Sequence, residues 1–187
     1  MSACLIEKCI IEHCSPTLAG IKPAGLFSCP LGGEAEVLEQ IRQLNLKLSG
    51  RGVVVSVMNK RDGRALIYVY REAMLKKALE NRETAEFLKT CGYGGLNVEK
   101  AVARLKERLA QSDGFPHEIG VFLGYPLGDV IGFIENGGKN CKCVGCWKVY
   151  CNECEAIKAF ARFKKCTSVY VRLWNQGRSV RQLTVAA

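Results

Sequence analysis

Two apolar runs folded about one Asp-Gly pair set the tightest limit on what this chain can become. Val53-Val54-Val55-Ser56-Val57-Met58 and Ala65-Leu66-Ile67-Tyr68-Val69-Tyr70 flank Asp62-Gly63. β-Branched and aromatic side chains fill a pleated surface, and Asp-Gly accepts the positive φ of a tight turn. A β-hairpin over 53–70 follows. The flanking sequence is mainly helical in period. Ser2 can cap a helix carrying Leu5, Ile6, Cys9 and Ile10. Ser15-Pro16 should end that helix, because the residue before a proline is pushed out of the α region. Thr17–Cys29 reads as loop or irregular strand. Glu34–Leu48 places Leu38, Ile41, Leu44 and Leu48 on one helical stripe. Glu72–Leu79, Arg82–Thr90 and Asn97–Gln111 read as three more helices.

Ile119, Val121 and Leu123 alternate with Gly120, Phe122 and Gly124, the pattern of a buried strand. Leu127, Val130, Ile131 and Ile134 give a helix closed by Asn136-Gly137-Gly138. Trp147–Tyr150 reads as a short strand, and Asn152 with Glu155 opens a helix over Glu153–Lys165. Thr167–Trp174 fits either period. A hairpin and two further strands among helices predict the α+β class. The expectation is a single domain over 1–187, with a small mixed or antiparallel sheet and packed helices.

Composition enters through the cysteines, of which there are eleven in 187 residues. A chain of this length buries about two-thirds of its unfolded surface and needs no disulfide staples. An odd count leaves one cysteine unpaired in any disulfide scheme. Met1–Cys14 has no basic n-region, and Glu7 and Glu12 interrupt its apolar run. No apolar run is long enough to span a bilayer. The expectation is a cytoplasmic address, no membrane, and cysteines kept as thiols or metal ligands. Charge is uneven. Of the net +9, the segment 137–187 carries ten Lys/Arg against only Glu153 and Glu155. This basic, cysteine-rich segment predicts an anionic partner: an acidic electron carrier, another acidic protein or nucleic acid.

Cys141, Cys143, Cys146, Cys151 and Cys154 crowd one stretch, and Cys166 follows on the next helix. Thiolates ligate zinc and iron–sulfur clusters, and short loops bring two of them onto one ion. Cys146-x4-Cys151-x2-Cys154 has the spacing of three ligands in plant-type [2Fe–2S] loops. The strand at Trp147–Tyr150 argues against such a loop. Cys141-x-Cys143 with Cys151-x2-Cys154 would suit zinc. Free cysteine also packs as a small hydrophobe. Lys139, Lys142 and Lys148 would favour a thiolate and lower the cysteine pKa values.

A second chemistry needs Cys14 and His117, one of only two histidines. A cysteine nucleophile needs an imidazole base held by a third polar group. Glu118 or Asp129 could orient His117, and Gly120, Gly124 and Gly128 would leave room for substrate. Against this, Cys14 lies near a helix C-terminus, whose dipole raises a thiol pKa. Three other matches fail. Gln176–Leu183 resembles the start of a helix-turn-helix, but no recognition helix can follow it. Gly92–Gly95 lacks the lysine and strand of a phosphate loop. Cys29-Pro30 is too short to identify a haem ligand.

Three long blocks, His13–Lys22, His117–Pro126 and Cys141–Tyr150, together with Arg61–Arg64 and Gly177–Ser179, resemble one bacterial family. It is a domain of unknown function common in anaerobic clostridia and their gut relatives. The resemblance implies that Cys14, His117, Cys141, Cys143 and Cys166 belong to the family pattern, while the positions of Cys146, Cys151 and Cys154 are not cysteine in many relatives. It adds Lys22, Tyr125 and Trp147, carried in the same blocks, as cofactor-binding candidates. Neighbouring iron-uptake and flavodoxin genes in the family imply iron or redox work. Two functions therefore stand: a metal- or redox-binding protein with a thiolate site (zinc or iron–sulfur) near Cys141 and Cys143, or a cysteine-dependent enzyme using Cys14 and His117. Binding of nucleic acid or an acidic protein through the basic segment is a third.

Overall fold

The computed structural model describes residues 3–30, 33–111 and 115–186, so the expected cap at Ser2 lies outside the described residues. The hairpin is where the sequence puts it. β2 (Val53–Arg61) and β3 (Arg64–Arg71) are joined at Asp62 and Gly63, with φ of 52° and 67°. β1 (Ala24–Pro30) pairs antiparallel with the free side of β3, giving the order β1-β3-β2. The second half of the segment expected as loop or irregular strand, residues 24–29, is therefore an edge strand. Its Pro30 sits at the strand end, where a missing N–H costs no ladder bond. A bulge at Val57/Asn59 in β2 turns Met58 and the Asn59 side chain towards the same layer, where Asn59 donates to the Leu109 carbonyl at 2.8 Å.

Alternation along the strands gives the sheet two apolar faces. Phe27, Val55, Val57, Ile67 and Val69 face a core shared with α1 (Ala3–Leu18), α2 (Glu34–Leu48), α8 (Glu153–Asn175) and α9 (Val180–Leu183). Ala24, Met58, Tyr68 and Tyr70 face a second core built with α3 (Glu72–Leu79), α4 (Arg82–Thr90), α5 (Val98–Ala110), α6 (Ile119–Phe122) and α7 (Leu127–Glu135). The remaining strands, β4 (Cys143–Val144) and β5 (Lys148–Val149), form a small separate hairpin. The class is mixed α+β, with an antiparallel three-stranded sheet.

Three further expectations change and one open segment is resolved. The first helix runs through Pro16 to Leu18. The N–H lost at Pro16 would have met the carbonyl of Glu12, an exposed residue, and the buried Arg71 guanidinium completes the last turn. Arg71 donates to the carbonyls of Thr17 (2.6 Å), Leu18 (2.5 Å) and Val185 (2.7 Å), and at 3.4 Å to that of Arg51. Ile119–Phe122 is a helix and not a strand. Ile119, Gly120, Val121 and Phe122 are all buried, so burial there has no period to read. Thr167–Trp174 continues α8 as one 23-residue helix, with Tyr170, Leu173 and Trp174 packed on the first core. On α2 the core stripe is Val37, Ile41, Leu44 and Leu48, while Leu38 is 47% exposed.

Candidate functional site

The three sequence blocks meet at one place, around a stack of side chains. The Lys22 Nζ lies 5.3 Å from the centre of the Tyr125 ring, and Tyr125 stacks on Trp147 at 5.0 Å. Trp147 meets Phe160 of α8 edge-on at 4.5 Å. Lys22, Tyr125 and Trp147, distant in sequence, are thus brought together. Tyr125 follows the α6 turn, held because its amide donates to the Gly120 carbonyl at 2.9 Å. Gly120 is required there, since a Cβ would sit 2.7 Å from Val130.

Asp129, in the first turn of α7, holds the cysteine-rich segment against this stack. Its buried carboxylate accepts from Trp147 Nε1 (2.7 Å), the Tyr150 amide (2.7 Å) and the Cys151 amide (2.8 Å). Lys142 donates to the Cys151 carbonyl at 2.6 Å and Lys148 to the Gly138 carbonyl at 2.7 Å. Both lysines therefore brace the loop.

One side of the Tyr125–Trp147 pair is a cavity of about 310 Å³. Its walls are Phe115, Ile119, Leu123, Tyr125, Val130, Phe133 and Trp147, with His117, Asp129 and Lys148 as the polar members. The exposed His117 ring meets Phe133 edge-on at 5.0 Å, and Lys148 Nζ lies 5.7 Å from the same ring. Sequence reading missed Phe133 and Phe115. Phe133 was legible only as one more apolar residue in the Leu127–Ile134 stripe.

The Cys14–His117 arrangement is not assembled. Cys14 is wholly buried in the core on the other face of the sheet and does not line the cavity holding His117. Burial pushes its thiol up to about 12, and nearby Lys22 only partly offsets this. The carboxylates expected to orient His117 are committed elsewhere. Glu118 Oε1 lies 2.5 Å from Arg108 Nε, a contact too bent for a hydrogen bond, and accepts from the Tyr93 hydroxyl at 3.0 Å. Asp129 serves Trp147, Tyr150 and Cys151. The glycines expected to leave room for substrate instead admit protein atoms: Val130 at Gly120, Pro23 at Gly124 and Cys151 at Gly128.

The ten described cysteines are all free. Cys141, Cys143 and Cys166 are half-buried, and Cys146, Cys151 and Cys154 are exposed. Among the described residues no three His, Cys, Asp or Glu side chains come together as a metal would require. The Cys143 thiol is pushed up by desolvation first, then by Glu153, to which it hydrogen-bonds, and by Cys141. That is opposite to the lowering expected from Lys139, Lys142 and Lys148, of which Lys142 and Lys148 point their charge at backbone carbonyls. On α8, Lys158, Arg162, Lys165 and Arg172 are exposed on one face, and Lys158 pairs with Glu155 at 2.7 Å. Among the described residues no helix is long and apolar enough to cross a membrane.

A family model described as "Protein of unknown function (DUF3793)" matches residues 10–184, which takes in the whole stack, both lysine braces and every block quoted above. The chain belongs to this family. No curated protein and no solved structure matches it. For DUF3793 in this chain, function has to be argued from the cavity itself.

Proposed function

We propose that this DUF3793 protein binds a planar, conjugated small molecule bearing an anionic group in the cavity beside Tyr125 and Trp147. The observation that carries the reading is the wall itself: Tyr125, Phe133 and Trp147 line one cavity, with Lys148 and His117 beside Phe133. Ring faces bind flat conjugated systems by stacking. Binding sites are mostly apolar, with a few placed polar groups that fix orientation. A volume of about 310 Å³ suits a molecule of one or two rings. Lys148 spends one donor on the Gly138 carbonyl and has others for an anion, and the exposed His117 imidazole can donate beside it.

Tryptophan emission tests this. Trp174→Phe leaves Trp147 as the only tryptophan. Planar aromatic acids should then quench it saturably, and Lys148→Met should weaken binding about tenfold, the loss of one charge-assisted contact. Phe133→Ala should weaken acids and neutral ring compounds alike. Saturated-ring acids quenching as strongly as planar ones, or no saturable response from folded protein, would sink the reading.

A second reading, a thiolate site for zinc or an iron–sulfur cluster, has one observation in its favour. Desolvation first, and then nearby Glu153 and Cys141, raise the Cys143 pKa. Displacing that proton by a cation would relieve the repulsion among them. Elemental analysis of protein purified without oxygen decides it. Stoichiometric metal lost in Cys141→Ser/Cys143→Ser supports the site, and metal-free protein that takes up neither ion nor cluster removes it.

A further inference from the structure

We infer a second ligand site, a cleft between α1 and α8 that takes an oxyanion on an apolar body, with Lys22 as its anchor. The Lys22 side chain is sunk between two rings, its Nζ 5.3 Å from the centre of Tyr125 and 5.9 Å from that of Phe163. Among the described residues no carboxylate, carbonyl or hydroxyl accepts a hydrogen bond from it. Rings stabilise an ammonium through their faces but give its N–H groups no lone pair. Lys22 is half-buried, burial pulls its pKa down, and its N–H groups are left for solvent or a ligand to accept.

The missing acceptor has room to arrive from outside. Lys22 lines a second cavity of about 350 Å³, which shares no wall residue with the first. Lys164 adds a second positive charge there, Thr167 adds a hydroxyl, and Phe160 gives an apolar floor, while the Ser168 hydroxyl donates to the Lys164 carbonyl at 3.0 Å. The one carboxylate lining it, Glu12, lies 3.8 Å from Lys8, so the cleft's balance favours an anion. The exposed His13 imidazole, stacked on Phe27 at 5.7 Å, can donate or accept beside it. Two amines and the Thr167 hydroxyl around an aromatic floor fit an aryl or alkyl carboxylate or phosphate monoester. Bulk phosphate alone would leave the floor unused.

Calorimetric titration of the full chain tests the site, with phenyl phosphate, benzoate and inorganic phosphate as probes. Saturable binding of an aryl anion is expected, tighter than inorganic phosphate. Lys22→Met keeps the stem between the rings and removes the charge, and should weaken binding at least about tenfold. Lys164→Ala should weaken it about threefold. Lys77→Met, an exposed change of equal charge on α3, should leave it unchanged. Preference for phenyl phosphate over benzoate, or the reverse, assigns the oxyanion. Undiminished affinity in a Lys22→Met protein that melts like wild type overturns the site, as does the absence of saturable binding. Should Lys22→Met fail to fold, the exposed Lys164→Ala change decides alone, and unchanged affinity there overturns it as well.

Discussion

Between the β1–β3 sheet and the β4–β5 hairpin the balance of forces reverses. Along β3, Ile67, Tyr68 and Val69 are wholly buried, and each face of the sheet has its own apolar core. From residue 139 to 152 only Val149 is buried, and the segment is held by Asp129, Lys142 and Lys148 reaching main-chain and indole groups. Burial is non-directional and spreads over many residues. A polar clamp is directional and fails at one atom. The scaffold should therefore tolerate conservative change, whereas the cysteine-rich wall of the candidate site depends on a single carboxylate.

The largest effect should come from the sheet. Ile67→Ala removes a fully buried side chain between helices and strand, at a cost of about 2–5 kcal/mol. Urea unfolding should show that loss as one cooperative transition, with iodoacetamide labelling of Cys141 and Cys143 unchanged under native conditions. Labelling that rises with the destabilisation would mean the two regions are not separately held.

Asp129→Ala should behave in the opposite way. It strips acceptors from three N–H groups and costs about 2 kcal/mol, most of it local. Trp147 emission should move to the red and the half-buried Cys141 and Cys143 should label faster, while far-ultraviolet circular dichroism of the scaffold holds. A global melt in place of local loosening would break the comparison.

A smaller contrast lies in the thiols. The Cys14 pKa is raised by burial from 9.0 to about 12. Below pH 9 both folded and unfolded forms keep the proton, so the stabilisation is fully present. Between pH 9 and 12 the unfolded chain loses it while the native one does not, and stability falls by up to about 1.4 kcal/mol per pH unit. Tyr68 and Tyr125 shift in the same direction and add to the loss at higher pH. Cys14→Ala should lower stability at pH 7 yet flatten the decline between pH 9 and 10, read from urea midpoints. Parallel declines in the two proteins would show that Cys14 is not the buried titrating group.

Local signals carried far in this chain. Asp62-Gly63 located the hairpin, and the helix limits at Glu34–Leu48, Glu72–Leu79 and Arg82–Thr90 were written in period and punctuation. Tertiary context overrode them where a segment is buried on every side, as at Ile119–Phe122, or completed by a distant residue, as Arg71 completes α1 past Pro16. The site was legible in its parts. Lys22, Tyr125 and Trp147 could be named, but not that they stack. Asp129 could be named, but as a partner for His117, because nothing local says which donors a buried carboxylate will meet. Cys14 and His117 looked like a pair because sequence does not record which face of the sheet a residue ends on.

Arg71 also bears on how the chain comes off the ribosome. One guanidinium joins the end of the first helix, the turn at Arg51 and the backbone at Val185, whose own amide donates to the Leu18 carbonyl at 3.0 Å. Arg71 emerges during synthesis more than a hundred residues before Val185 does. Until then its charge lacks one acceptor, and the first core lacks Val180 and Leu183. The nascent sheet is thus left open along one seam until the segment 180–185 emerges, and the stitch that closes it is made long after the strands it closes.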